Sequence, residues 1–149
     1  MVYDDAVRAL VGAWKERGVR RLAATAAEMT VEAVPPPRGV VTFAPPDPDR
    51  VLLRGHHPPR TLAAALARAW ELPLDDLLRR QAGKRQRGLA AAERRRNVRG
   101  AFTARHAPPR VVLVDDVYTS GATVNAAASA LRKAGAREVR VVTFARVVG

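Results

Sequence analysis

The chain has 149 residues, with 26 Lys or Arg against 14 Asp or Glu and a formal net charge of +12. That length fits one domain with a core of its own, and the absence of cysteine excludes disulfides and cysteine-ligated zinc. The three histidines, His56, His57 and His106, are too few and too poorly spaced for a histidine metal site, and no apolar run approaches the span of about 20 residues that crosses a membrane.

The start, "MVYDDAVRAL", lacks the basic-then-apolar order of a secretory leader, so a cytoplasmic protein with one domain over residues 1–149 is expected. Val7, Leu10, Val11 and Trp14 fall at helical spacing and predict an amphipathic helix; Val19, Leu22, Ala23 and Ala26 predict a second. "VVTFA", residues 40–44, is a short apolar run closed by Pro45 and Pro46, which predicts a strand entering a loop. Leu62, Leu66, Ala69 and Trp70 mark a helix that stops before Pro73, and both tryptophans lie on apolar stripes suited to a core. "LDDLL", residues 74–78, reads as a strand, "AAAERRRNV" as a short charged helix, and "VRGAF" as a return to the sheet.

"VVLV", residues 111–114, is a continuous apolar strand of the kind covered on both faces. Residues 122–134 predict a helix with Val124, Ala127, Ala128 and Leu131 on its inner stripe. Arg132 and Lys133 suit the negative end of its dipole, and Gly135 suits the left-handed cap. "EVRVVTFARVV" then returns as a strand. Strand, crossover helix and strand define an open α/β sheet, whose ligands bind at the carboxyl ends of the strands.

Asp115 and Asp116 lie at that end, followed by Tyr118–Thr123, a connection rich in hydroxyls. A helix N-terminus offers unpaired N–H donors and a partial positive charge, which makes it an anion site. Gly121 permits a close backbone approach and an unusual φ, and a side chain there is expected to fill the space of a phosphate. An ionised carboxylate only accepts hydrogen bonds, and ribose hydroxyls can donate them. Two acids for two hydroxyls, then a donor-rich loop for a 5′-phosphate, describe a ribose 5-phosphate site. Without a ligand, Asp116 would cap a turn, and Ser120 or Thr119 would cap the helix. Neither a Walker loop nor a G-x-G-x-x-G is present.

The string "VVLVDDVYTSGAT" resembles the phosphoribosyl diphosphate motif of type I phosphoribosyltransferases, and "QRGLAAAERRRNVRGAF", with "LLRR" before it and "GAREVRVVTFAR" after it, resembles the competence protein F (ComF) branch. The resemblance implies an α/β fold with a parallel central sheet and helices on both faces. It assigns the ribose hydroxyls to a catalytic pair, Asp115 and Asp116, and the 5′-phosphate to Thr119, Ser120, Gly121, Ala122 and Thr123. It implies 5-phosphoribosyl 1-diphosphate or ribose 5-phosphate as ligand, and Mg2+ held through the diphosphate with no direct protein ligand. Displacement of diphosphate from C1 would pass through an oxocarbenium-like state, with the protein supplying position and charge stabilisation. Arg54, Lys84 and Arg85 are the candidate diphosphate contacts.

Several stretches depart from the branch. It usually carries an N-terminal four-cysteine zinc module, and this chain has no cysteine. Its R-G-F-N-Q reads "RGHHP" here, its P-V-P reads "FAP", and the T-P-x-Q of its mobile loop reads "GKRQ". Few residues follow Arg146, so a hood over the acceptor is expected from a helical segment in residues 1–35. His56 and His57 are either a polar loop or a pair that contacts substrate.

Residues 79–99 hold nine Lys or Arg and one acid, Glu93, a net of +8. Three readings stand for this stretch: a nucleic-acid surface with Arg94, Arg95, Arg96 and Arg99 on phosphates, a loop that clamps diphosphate, or a solvated helix face. Two functions follow. One is a Mg2+-dependent phosphoribosyltransferase that transfers or hydrolyses the phosphoribosyl group, a glycosyltransferase acting on a pentosyl unit. The other is a non-catalytic ComF-like factor that binds single-stranded DNA in uptake or processing. A homodimer is compatible with either.

Overall fold

The computed structural model describes residues 21–46, 57–81 and 100–147. The predicted first helix with Trp14 and the predicted charged helix around Glu93 lie outside the described residues. Within them, the elements in chain order are α1 (Arg21–Ala33), β1 (Val40–Phe43), α2 (Pro58–Ala69), β2 (Arg79–Arg80), β3 (Phe102–Thr103), β4 (Arg110–Tyr118), α3 (Ala122–Lys133) and β5 (Glu138–Arg146).

β4 is the centre of a three-stranded parallel sheet ordered β1-β4-β5. A strand covered on both faces must be apolar at successive positions, and this is why "VVLV" runs unbroken. Val112 and Val114 pack on one side with Ala23, Ala26 and Ala27 of α1 and Leu62, Ala63, Leu66 and Ala67 of α2. Val111 and Leu113 pack on the other with Val124, Ala127, Ala128 and Leu131 of α3. Helices therefore cover both faces, as the resemblance implies. Trp70 is buried in the first cluster, in keeping with its place on an apolar stripe. Burial of a side chain such as Leu62 or Leu113 contributes roughly 1.5–3 kcal/mol.

α3 ends as its sequence predicts. The N–H of Gly135 donates to the Arg132 carbonyl at 3.1 Å and that of Ala136 to the Leu131 carbonyl at 3.0 Å, with Gly135 at φ 115°. These paired bonds satisfy carbonyls that the helix end would otherwise leave open, and a Cβ at residue 135 would oppose that φ.

Three expectations change. Of "LDDLL", only Leu74 makes a bridge, to Val41, and the chain then leaves the sheet so that the Leu77 N–H reaches Thr42 Oγ1 at 3.3 Å. "VRGAF" does not rejoin the central sheet: Phe102–Thr103 pairs antiparallel with Arg79–Arg80 in a separate two-stranded sheet. The exposed arginines cannot enter a covered sheet, while Phe102 packs beneath with the α3 cluster. Finally, Asp115 and Asp116 lie within β4, which continues to Tyr118. Of the segment expected to form a hood, α1 packs in the core against α2, and residues 1–20 lie outside the described residues.

Candidate functional site

β4 runs into the site with its ladder to β5 in register on both sides of the acid pair, Asp115 opposite Thr143 and Val117 opposite Ala145. The strict alternation of faces does not survive the pair, for Val117 packs with the first core cluster and Tyr118 with the second. Asp116 is buried and Asp115 half-buried. Each carboxylate accepts from the next backbone amide: Asp115 Oδ1 from the Asp116 N–H at 3.0 Å, Asp116 Oδ1 from the Val117 N–H at 2.7 Å. Charge-assisted bonds of this kind offset part of the repulsion between adjacent like charges.

The chain then turns through Thr119 and Ser120, both exposed, to Gly121. Gly121 caps α3 in the left-handed region, at φ 73° and ψ 0°, and brings no side chain to the cap. The first intrahelical bond here runs from the Asn125 N–H to the Gly121 carbonyl at 2.9 Å. The amides of 122–124 therefore have no carbonyl of their own helix to meet. Ser120 Oγ accepts from the Ala122 N–H only at 3.4 Å, a long contact. Among the described residues, Ser120 thus meets one amide of this set, and only at a long distance.

The unusual φ expected at Gly121 is present, and the steric need for glycine has a cause the sequence did not show. A Cβ on Gly121 would run into the hydroxyl and ring of Tyr118. Tyr118 itself lies under the guanidinium of Arg146, whose Cζ is 5.4 Å from the ring centroid. The sequence reading passed over this pair. Its signal was the placement of both residues at the carboxyl ends of two strands joined by one crossover helix.

His57 stands at the N-cap of α2, with Pro58 and Pro59 opening the helix. Its ring meets Phe43 edge-on with centroids 5.2 Å apart, and its Nε2 is buried with no hydrogen-bond partner. Burial lowers its pKa from 6.5 to about 4, assisted by Arg60 and opposed by a hydrogen bond to the Ala44 backbone and by Asp116 and Asp76. An imidazole of that kind is neutral near pH 7. His57 is thus packed rather than displayed on a polar loop, and Asp116 is among the charges acting on it. His56 lies outside the described residues.

The structure brings together Asp115, Asp116, Thr119, Ser120, Gly121, Ala122 and Thr123 at one end of the sheet. Arg54, Lys84, Arg85, Arg94, Arg95, Arg96 and Arg99 lie outside the described residues. Among the described residues no group of three or more His, Cys, Asp or Glu is placed to hold a metal, and no helix is long and apolar enough to cross a membrane.

A parallel sheet covered on both faces, with two acids and a glycine-capped helix at the carboxyl ends of its strands, is an open α/β sheet of the kind whose ligands bind at that edge. Residues 60–147 match the phosphoribosyl transferase domain, and the chain belongs to that family. Competence protein F of Haemophilus influenzae is 38% identical over 100 residues, covering 62% of this chain and 44% of that protein. Competence protein ComFC of Streptococcus pneumoniae is 41% identical over 39 residues, covering 26% of this chain and 18% of that protein. The chain thus spans less than half the length of the curated relatives it matches, and the similarity to the competence branch agrees with the sequence reading. Among solved structures, glutamine phosphoribosylpyrophosphate amidotransferase from B. subtilis, in complex with ADP and GMP, aligns with a TM-score of 0.55 and 26% identity, over 82% of this chain and 26% of its own. An allosteric regulatory enzyme of purine biosynthesis aligns with the same TM-score and identity, over 82% of this chain and 25% of its own.

Proposed function

We propose that this domain binds 5-phosphoribosyl 1-diphosphate and transfers or hydrolyses its phosphoribosyl group. The observation that carries the reading is the N-terminus of α3, whose glycine cap brings no side-chain bond, next to the acid pair at the end of β4. The 5′-phosphate would accept from the amides and hydroxyls of Thr119–Thr123. The two ribose hydroxyls would donate to Asp115 and Asp116, so that C1 is held facing an acceptor. Family membership and the likeness to a phosphoribosylpyrophosphate amidotransferase support this choice of ligand.

The donor set also fits Mg2+. Aspartate oxygens are the hard ligands that ion prefers, and it ordinarily uses few carboxylates together with substrate phosphates. Bound there, Mg2+ would offset the charge of the leaving diphosphate. Asp115 and Asp116 would hold the sugar while positive charge develops at C1, and their own negative charge would favour that development.

A second reading rests on a separate observation. The net charge of +8 over residues 79–99, together with similarity to competence protein F, favours a DNA-handling factor in which the sugar-phosphate site is structural or regulatory. Calorimetric titration with 5-phosphoribosyl 1-diphosphate plus Mg2+, alongside single-stranded DNA, separates the two. Saturable diphosphate-sugar binding is expected; heat from DNA alone would reverse the order of the readings.

A further inference from the structure

We propose that Arg146 is the cation that meets the anion in the phosphate loop, and that the Tyr118 ring positions it. The inference rests on the sugar-phosphate reading above and adds a binding residue to it. Thr119, Ser120, Gly121, Ala122 and Thr123 are all neutral, and Asp115 and Asp116 bring negative charge close by. A phosphomonoester carries about −1.5 to −2 charges near pH 7. Amide dipoles and hydroxyls bring only partial charges to it, so a cation on a neighbouring element would add to the binding.

The ladder brings one candidate element to the loop. Tyr118 pairs with Arg146 across β4 and β5, and the Val147 N–H donates to the Tyr118 carbonyl at 2.9 Å. The end of β5 is therefore tied to the residue that enters the loop. The Tyr118 hydroxyl end rests where a Cβ of Gly121 would be, while the Arg146 Cζ lies 5.4 Å from the centroid of the same ring. One aromatic ring thus links the glycine of the loop to an exposed guanidinium. Among the described residues no carboxylate forms an ion pair with Arg146, whereas Arg110 at the other end of the sheet is 3.6 Å from Glu138. A planar guanidinium held against an aromatic face loses little freedom when it binds, and its paired N–H groups match phosphate oxygens. The chemistry fits a dianionic phosphomonoester at the 5′ end of a sugar.

The test is calorimetry with ribose 5-phosphate and with inorganic phosphate, each at low and high salt. The proteins are the parent, Arg146→Gln, Arg146→Lys, Tyr118→Leu, the Arg146→Gln/Tyr118→Leu double variant and Gly121→Val. Arg146→Gln is expected to weaken both ligands about tenfold, the scale of one hydrogen bond to a charged group, and to flatten the salt dependence. Its unfolding midpoint without ligand should match the parent, since Arg146 is exposed. Arg146→Lys should recover part of the loss. Tyr118→Leu should weaken binding, and its effect should largely overlap that of Arg146→Gln in the double variant. Arg146→Gln binding like the parent at both salt levels, while Gly121→Val does not bind, would overturn this inference and leave the loop reading intact. Fully additive losses would overturn the positioning role of Tyr118. A parent that binds neither ligand would overturn the loop reading and this inference with it.

Discussion

Asp115 and Asp116 offset part of their own repulsion by each holding the following backbone amide, and in the proposed function each also accepts a ligand hydroxyl. Asparagine keeps an oxygen for that amide but replaces a charged acceptor by a neutral one. Asp115→Asn and Asp116→Asn are each expected to weaken 5-phosphoribosyl 1-diphosphate by roughly 1–3 kcal/mol, with little change in unfolding midpoint. Affinity for inorganic phosphate should barely move, because only the sugar touches the acids; calorimetry of both variants with both ligands checks this. His57 gives a pH prediction at the same scale. Its folded pKa of about 4 lies below the ordinary 6.5, so as pH falls the unfolded chain takes up the proton first. The contribution of His57 to stability is then full above pH 6.5 and declines as pH falls toward about 4. His57→Gln should flatten that acid-side decline relative to the parent in thermal unfolding followed across pH. At Gly121, alanine must adopt a left-handed φ and also displace the Tyr118 ring. Both costs reduce stability, and Tyr118→Ala in the same chain should relieve only the second.

At the scale of elements, the legible parts of the sequence were those whose physics is local. "VVLV" announced a strand covered on both faces, and α3 showed its stripe, its basic last turn and its glycine cap within one short stretch. The strand end with its acid pair and the glycine turn into α3 were legible for the same reason, since one continuous segment carries both. What the sequence hid depends on pairing between distant residues. Arg79–Arg80 with Phe102–Thr103 and Tyr118 with Arg146 become neighbours only once registers exist, and no periodicity reports a register. "LDDLL" misled because a leucine at each end resembles a strand, although only Leu74 finds the sheet. The core makes its own prediction. Leu113 of β4 is completely buried among α3 side chains. Leu113→Ala should cost about 2–5 kcal/mol through lost burial and the cavity left behind, read as a lower denaturant midpoint with an unchanged slope.

Across the whole molecule, charge and site are arranged unevenly. The excess of +12 is concentrated in sequence, with +8 of it between Arg79 and Arg99, while the loop proposed to hold the 5′-phosphate has no charged side chain. The two proposed ligands therefore depend on salt in different ways. A sugar phosphate in an amide cradle with one arginine beside it should lose affinity modestly as salt rises. A single-stranded nucleic acid on clustered arginines releases a counterion at each phosphate contact, so log affinity should fall against log salt with a slope of about −0.7 per contact. Replacing Arg94, Arg95, Arg96 and Arg99 together by alanine should then make the nucleic-acid slope shallower by up to about 3, four times the single-contact value. The same variant should hold ribose 5-phosphate as the parent does, because the acid pair and α3 are untouched. Filter binding of a labelled oligothymidylate over a salt series, with sugar-phosphate calorimetry on the same preparation, makes the comparison. An unchanged nucleic-acid slope would remove these four arginines from any DNA surface. A shallower slope with a simultaneous loss of diphosphate-sugar binding would place the basic stretch over the sugar site instead, as a clamp on the diphosphate.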